Sequence, residues 1–150
     1  MAQVVTCLQV GRVMQLATVR AGRPWIATVY FVADATGRVY WLSLPTRRHS
    51  EDVVAQSDAA VAIAVKYDQP VIGVQASGTV QEIIDVDLIR QVMPEYVAKY
   101  GSGADFVERF ERGEAEHRLY RFTPQEWWLF DELHYPGGKR QSVSLPLNES

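Results

Sequence analysis

The chain has 150 residues, 47% of them hydrophobic and 22% charged, with a formal net charge of −3 at pH 7. That length holds one domain, residues 1–150, with a core large enough to need no staples. The acidic balance argues against sequence-independent nucleic-acid binding, which needs a broad basic face. A single cysteine, Cys7, excludes an intrachain disulfide and fits a reducing compartment.

No basic segment followed by a continuous apolar run opens the chain, and no apolar run approaches transmembrane length. The expectation is therefore a cytoplasmic protein without membrane association. Residues 3–10 read equally as a short helix or a strand, and Cys7 within them as a buried bystander thiol. Val13 to Val19 is apolar and β-branched, Ala21-Gly22-Arg23-Pro24 breaks it, and Trp25 to Ala33 resumes. This pattern predicts a β-hairpin. Asp34-Ala35-Thr36-Gly37 is a second turn and Arg38 to Ser43 a third strand, giving a three-strand antiparallel meander.

The second run is apolar on both faces. Trp25, Ala27, Val29 and Phe31 lie on one side; Ile26, Thr28, Tyr30 and Val32 lie on the other. Strands of this kind are expected to be covered on both sides. Ser50 to Gln56 predicts a short helix, with Ser50 as N-cap and Glu51 and Asp52 suited to the dipole. Ala59 to Val65 alternates small and large residues, which suits a barrel interior or a closely approached surface. Val71 to Ile84 is a long strand with bends at Gly73 and Gly78.

Asp85 or Asp87 opens a helix through Tyr100 that Pro94 should kink. Phe106 and Phe110 share a face of a second short helix. Arg118–Phe122 and Glu126–Phe130 are strand segments hinged at Pro124, and residues 136–150 read as a loop or tail. The sum is an α+β chain dominated by a β-barrel, with about six antiparallel strands and two or three peripheral helices.

One segment concentrates charge. Leu42-Ser43-Leu44-Pro45-Thr46-Arg47-Arg48-His49 leads from an apolar strand through hydroxyls and basic residues into a helix start. Unpaired helix N–H groups and an arginine fork suit a phosphate. The same triplet also reads as a solvated basic turn. Thr18 and Thr28 read as ordinary strand residues, and Gln75 as a surface residue. Trp127 and Trp128 point to opposite faces of a strand, for core or interface packing. His117 and His134 lack companions at metal-ligand spacing. Glu114, Glu116 and His117 read as a solvated helix end.

The order of these segments resembles the pyridoxamine 5′-phosphate oxidase-like FMN-binding split barrels. Met14-Gln15-Leu16-Ala17-Thr18-Val19 with Gly22-Arg23-Pro24 is similar to the first hairpin of that family. Arg48-His49-Ser50-Glu51-Asp52-Val53 resembles its basic segment, with His49 where lysine is usual. Gln75-Ala76-Ser77-Gly78-Thr79-Val80 resembles the next strand, and Phe122-Thr123-Pro124 with Trp127, Trp128 and Phe130 the closing one.

The resemblance implies a homodimer with FMN in a cleft between subunits. It implies an isoalloxazine along Ile26, Ala27, Thr28 and Val29, with Leu42 and Ser43 near the ribityl–phosphate. Arg48 and His49 would hold the phosphate, assisted by Thr46 or Arg47. Gln75 would reach the flavin edge, and Trp127, Trp128 or Phe130 of the second subunit would cover it. The implied activity is hydride transfer through the flavin, with NAD(P)H a candidate donor and no catalytic side chain or metal required. The Arg-Leu-His-Asp-Arg segment of true pyridoxamine phosphate oxidases is absent, so no such substrate is assigned. The alternatives are a deazaflavin- or haem-binding relative, a non-catalytic flavin-binding module, and a dimerisation domain without cofactor.

Overall fold

The computed structural model describes residues 2–144 and 146. Strands β1 (Val13–Arg20) and β2 (Arg23–Tyr30) form the predicted hairpin, paired from Val13↔Tyr30 to Arg20↔Arg23. The turn is two residues long, with Ala21 at φ 51° and Gly22 at φ 75°. Positive φ at both positions is the hairpin turn whose twist matches that of the strands. Pro24, expected in the turn, lies inside β2. It is tolerated because β2 is a sheet edge, where a missing N–H costs no ladder bond.

The predicted run from Trp25 to Ala33 divides at Phe31. Strand β3 (Val32–Ala33) leaves β1 and pairs with β4 (Val39–Ser43), so the expected meander is broken between β2 and β3. Phe31 is fully buried, and its amide donates to the Tyr100 hydroxyl at 3.0 Å. That long-range bond holds the chain where it changes partners.

The remaining elements are α2 (Arg48–Ala55), β5 (Asp58–Lys66), β6 (Ile72–Ile83), α3 (Val86–Tyr100), α4 (Phe106–Glu111), β7 (Arg118–Pro124), β8 (Glu126–Asp131) and β9 (Arg140–Ser144). An N-terminal helix, α1 (Ala2–Val10), settles the open choice there. Among the described residues the strands form one nine-stranded antiparallel sheet, ordered β2-β1-β5-β6-β7-β4-β3, with β8 on β6 and β9 on β8. It curls into a half-barrel, the split-barrel form of an α+β fold.

The count exceeds the expected six strands partly because residues 140–144 are not loop. They add an edge strand through backbone bonds, from Glu126↔Ser144 to Phe130↔Arg140. Residues 145 and 147–150 of the expected tail lie outside the described residues. Strand β6 pairs with β7 along its C-terminal half and with β8 along its N-terminal part. Gly78 permits the change of partner, since a Cβ there would lie 2.1 Å from the Thr123 carbonyl oxygen. The bulge falls on β5 between Ala64 and Lys66, opposite Gly73.

Two cores stabilise the sheet. Inside the curl, Val4, Cys7 and Leu8 of α1 pack on Met14, Leu16, Ile63, Trp41, Phe122 and Trp127. Outside it, Ile89, Val92, Met93 and Tyr96 of α3 and Phe106 of α4 pack on Tyr40 and Leu119. Helix α3 runs through Pro94 without a break, capped by the Asp85 carboxylate on the Asp87 amide and ended by left-handed Gly101.

Candidate functional site

Helix α2 begins at Arg48, two residues before the predicted Ser50. Its N-cap is Arg47, which makes no side-chain capping bond. Ser50 is buried instead. The first amides of α2 are thus left without a side-chain cap at the segment richest in positive charge, an arrangement suited to an anion.

Asp52 is not the solvated dipole partner expected. Its carboxylate is fully buried, accepts from Thr18 Oγ1 at 2.8 Å and lies 3.1 Å from Arg20 Nε. The buried Thr18 is accordingly a tether between sheet and helix. Arg48 joins this group on the Asp52 side of α2, with Nε 3.9 Å from Asp52 Oδ2 and its guanidinium carbon 4.3 Å from the Trp25 ring centroid.

The neighbouring residues turn the other way. Arg47 and His49 line a cavity of about 430 Å³ together with Ser43, Leu42, Thr28 and Val29. These are the predicted cofactor residues that the fold brings together. Ser43 Oγ and His49 Nε2 share a hydrogen bond of 2.8 Å. Burial lowers the His49 pKa from its ordinary 6.5, and the Arg47 charge lowers it further, against a smaller opposing pull from Asp52. The imidazole is therefore neutral at pH 7. At the expected lysine position the chain carries a hydrogen-bonding imidazole in place of a permanent charge.

Val13, Tyr30, Leu44 and His117 complete the lining. Sequence reasoning left His117 as an isolated surface residue and gave Tyr30 no role. The alternation of β2 was the available signal for Tyr30, because it shares an outward face with Thr28. His117 carried no such signal, since only β7 pairing with β4 brings Arg118 beside Ser43.

Other predicted residues lie elsewhere. Ile26 and Gln75 line a separate groove of about 440 Å³ on the outer face of the sheet, with Trp128, Ala17, Ala60 and Ala62. Cross-strand pairing sets this groove: Ile26 sits opposite Ala17, Ala17 opposite Ala60, Ala62 opposite Gln75, and Gln75 opposite Trp128. Ala27, Thr46 and Arg48 line neither space. Trp127 is corrected outright: it is fully buried and donates its indole N–H to the Gly37 carbonyl at 2.9 Å, so it cannot cover a ligand. Phe130 rests its ring tip where a Gly73 side chain would begin, 2.7 Å from that position, and lines neither space.

Residues 1–131 match the family model described as pyridoxamine 5′-phosphate oxidase. The chain belongs to this family. No curated protein matches it. Among solved structures it is similar to a heme binding protein from Mycobacterium smegmatis, with TM-score 0.76 and 15% identity over 95% of this chain and 56% of that one. It is similar to HutZ, the heme storage protein from Vibrio cholerae, with TM-score 0.68 and 19% identity over 87% and 92%. An FAD-binding protein from Mesorhizobium loti matches with TM-score 0.60 and 20% identity over 84% and 90%. The chain spans about half the length of the Mycobacterium protein. These likenesses show the fold. The family's split barrel thus carries, in this member, a cavity with an arginine, a serine–histidine pair and a tyrosine on its walls.

Among the described residues no helix is long and apolar enough to cross a membrane, and no group of three or more His, Cys, Asp or Glu side chains is placed to hold a metal ion.

Proposed function

We propose that this protein is an FMN-binding oxidoreductase that acts as a homodimer. The observation that carries the reading is the convergence of Arg47 and His49 at the start of α2 and Ser43 at the end of β4 with Thr28, Val29 and Tyr30 of β2 on one cavity of about 430 Å³. A volume of this size is in the range of small-molecule sites. The donor set fits FMN: an arginine fork and uncapped amides suit the phosphate, and the apolar strand wall with an aromatic ring suits the isoalloxazine.

When bound, FMN supplies the hydride-accepting ring system that the side chains here lack. Arg47 would hold the phosphate as a permanent charge. His49 Nε2 is tied to Ser43 Oγ, which fixes the imidazole plane and lets the ring take up a proton beside a dianion. Arg48 has a supporting role, packed between Trp25 and Asp52.

The reading is tested by the visible spectrum of the purified protein, followed by FMN titration and reduction of the bound flavin by NADH or NADPH. Arg47→Ala is expected to weaken FMN binding more than tenfold, and Arg48→Ala less. Equal affinity in Arg47→Ala and the unaltered protein would sink the phosphate assignment.

A second reading is haem binding. It is favoured by two histidines, His49 and His117, on the same cavity, and by the two structurally similar heme proteins. A Soret band on haem addition, lost in His49→Ala or His117→Ala, would select it over the flavin.

A further inference from the structure

We infer that Tyr30 is the wall on which a planar, electron-poor ring stacks in this cavity; the inference rests on the flavin reading and adds a residue that selects the ring. Tyr30 lines the cavity and remains 57% exposed. Its ring is backed rather than free. The Tyr100 ring lies 5.0 Å away at 55°, and Tyr96 lies 5.0 Å beyond Tyr100 at 53°.

This ladder is anchored at its middle rung. The Tyr100 hydroxyl accepts from the Phe31 amide at 3.0 Å and reaches the Arg12 carbonyl at 2.7 Å. The Arg12 guanidinium carbon sits 5.2 Å from the Tyr100 ring centroid. Tyr96 is buried in the α3 core. The break in the strand at Phe31, one residue past Tyr30, is held by the same hydroxyl. Backbone and ring at Tyr30 are thus fixed together, which is the requirement for a stacking platform.

The other exposed aromatic of β2 does not compete for this role, because the Trp25 ring is occupied by Arg48 and faces the opposite side of the strand. Ile26 faces the same side as Tyr30 but lines the outer groove. The Tyr30 hydroxyl forms no side-chain hydrogen bond among the described residues, so the ring rather than the hydroxyl is the unspent part. Phenol rings are electron-rich, and offset stacking on an electron-poor heteroaromatic is favourable.

The experiment is a fluorescence titration of FMN, and separately of lumiflavin, with the purified full chain. Lumiflavin carries the ring without the ribityl phosphate and so isolates the stacking contribution. The unaltered protein is expected to bind and quench both. Tyr30→Phe should stay within about threefold for each. Tyr30→Leu should weaken each at least tenfold and lose most of the quenching, while competition of FMN binding by inorganic phosphate is unchanged. Tyr30→Gln serves if the leucine variant aggregates, and thermal midpoints confirm that the variants fold. If the unaltered protein binds no FMN, the functional reading and this inference fall together. FMN binding that is indifferent to Tyr30→Leu, or as weak in Tyr30→Phe as in Tyr30→Leu, overturns this inference alone.

Discussion

His49 stands where a permanent charge was expected, and its surroundings hold it neutral. Burial and Arg47 push its pKa down, while a bound phosphate dianion would push it up. Between those two values, binding takes up a proton, so affinity for FMN rises as pH falls. A gain of roughly threefold to tenfold is expected between pH 8 and pH 6.5 for one coupled proton. Isothermal titration in buffers of different ionisation enthalpy would detect the proton. The idea fails if His49→Gln shows the same pH slope as the unaltered chain. The same group affects folding in the opposite sense. The unfolded imidazole protonates below its ordinary 6.5 whereas the folded one resists, so stability falls as pH drops through that value. Cys7 gives a second prediction at this scale. Burial, with a smaller contribution from the Asp131 charge, pushes its thiol up to about 11. An aromatic disulfide reagent should leave the native protein unmodified and titrate one thiol per chain after unfolding. Rapid reaction of the native chain would contradict the packing of α1.

The β1–β2 hairpin contains the plainest opportunity to alter stability. Ala21 occupies φ 51°, a left-handed conformation that costs alanine about 1 kcal/mol relative to glycine and that asparagine tolerates through local hydrogen bonding of its side chain. Ala21→Asn creates the Asn-Gly pair preferred in this turn and should stabilise the fold by about 0.5–1 kcal/mol. An unchanged or lowered thermal midpoint would show that the turn is not strained. The hairpin itself was legible because turn residues and apolar runs agree there. The break at Phe31 was not, since its neighbours are all apolar and the partner that pins it lies 69 positions away, at Tyr100. The start of α2 was misplaced because Ser50 looks like a cap in sequence and is buried in the fold. Strand β9 was invisible for another reason: Arg140–Ser144 carries little apolar signal and is strand through backbone pairing with β8. The candidate cavity was half legible for a related reason. The residues on β4 and α2 follow one another in the chain, whereas His117 arrives by strand pairing and Trp127 is claimed by the core.

At the scale of the molecule, the outer face of β2, β1, β5, β6 and β8 is where the proposed homodimer is expected to form. Ile26 is 62% exposed and Trp128 38%, and between them run Ala17, Ala60 and Ala62, so the centre of the face is low and its margins are raised. The alternation of small and large residues on β5, ambiguous in sequence, resolves as large residues inward and alanines outward. Alanine on a sheet face leaves the backbone open to close approach, and apolar side chains exposed beside it gain by being covered. In the proposed homodimer a two-fold axis would set this face of one copy against the same face of the other. A stable contact of this kind buries roughly 800 Å² on each partner. Ile26→Asp places a charge on a raised margin of that contact without touching the core, so the monomer should fold with an unchanged circular dichroism spectrum while the dimer dissociates. Sedimentation velocity at micromolar concentration checks this directly. FMN binding should weaken together with the dimer if the cofactor lies between subunits, and should survive in the monomer if the cavity of one chain suffices. A dimer that persists in Ile26→Asp would move the interface to another face.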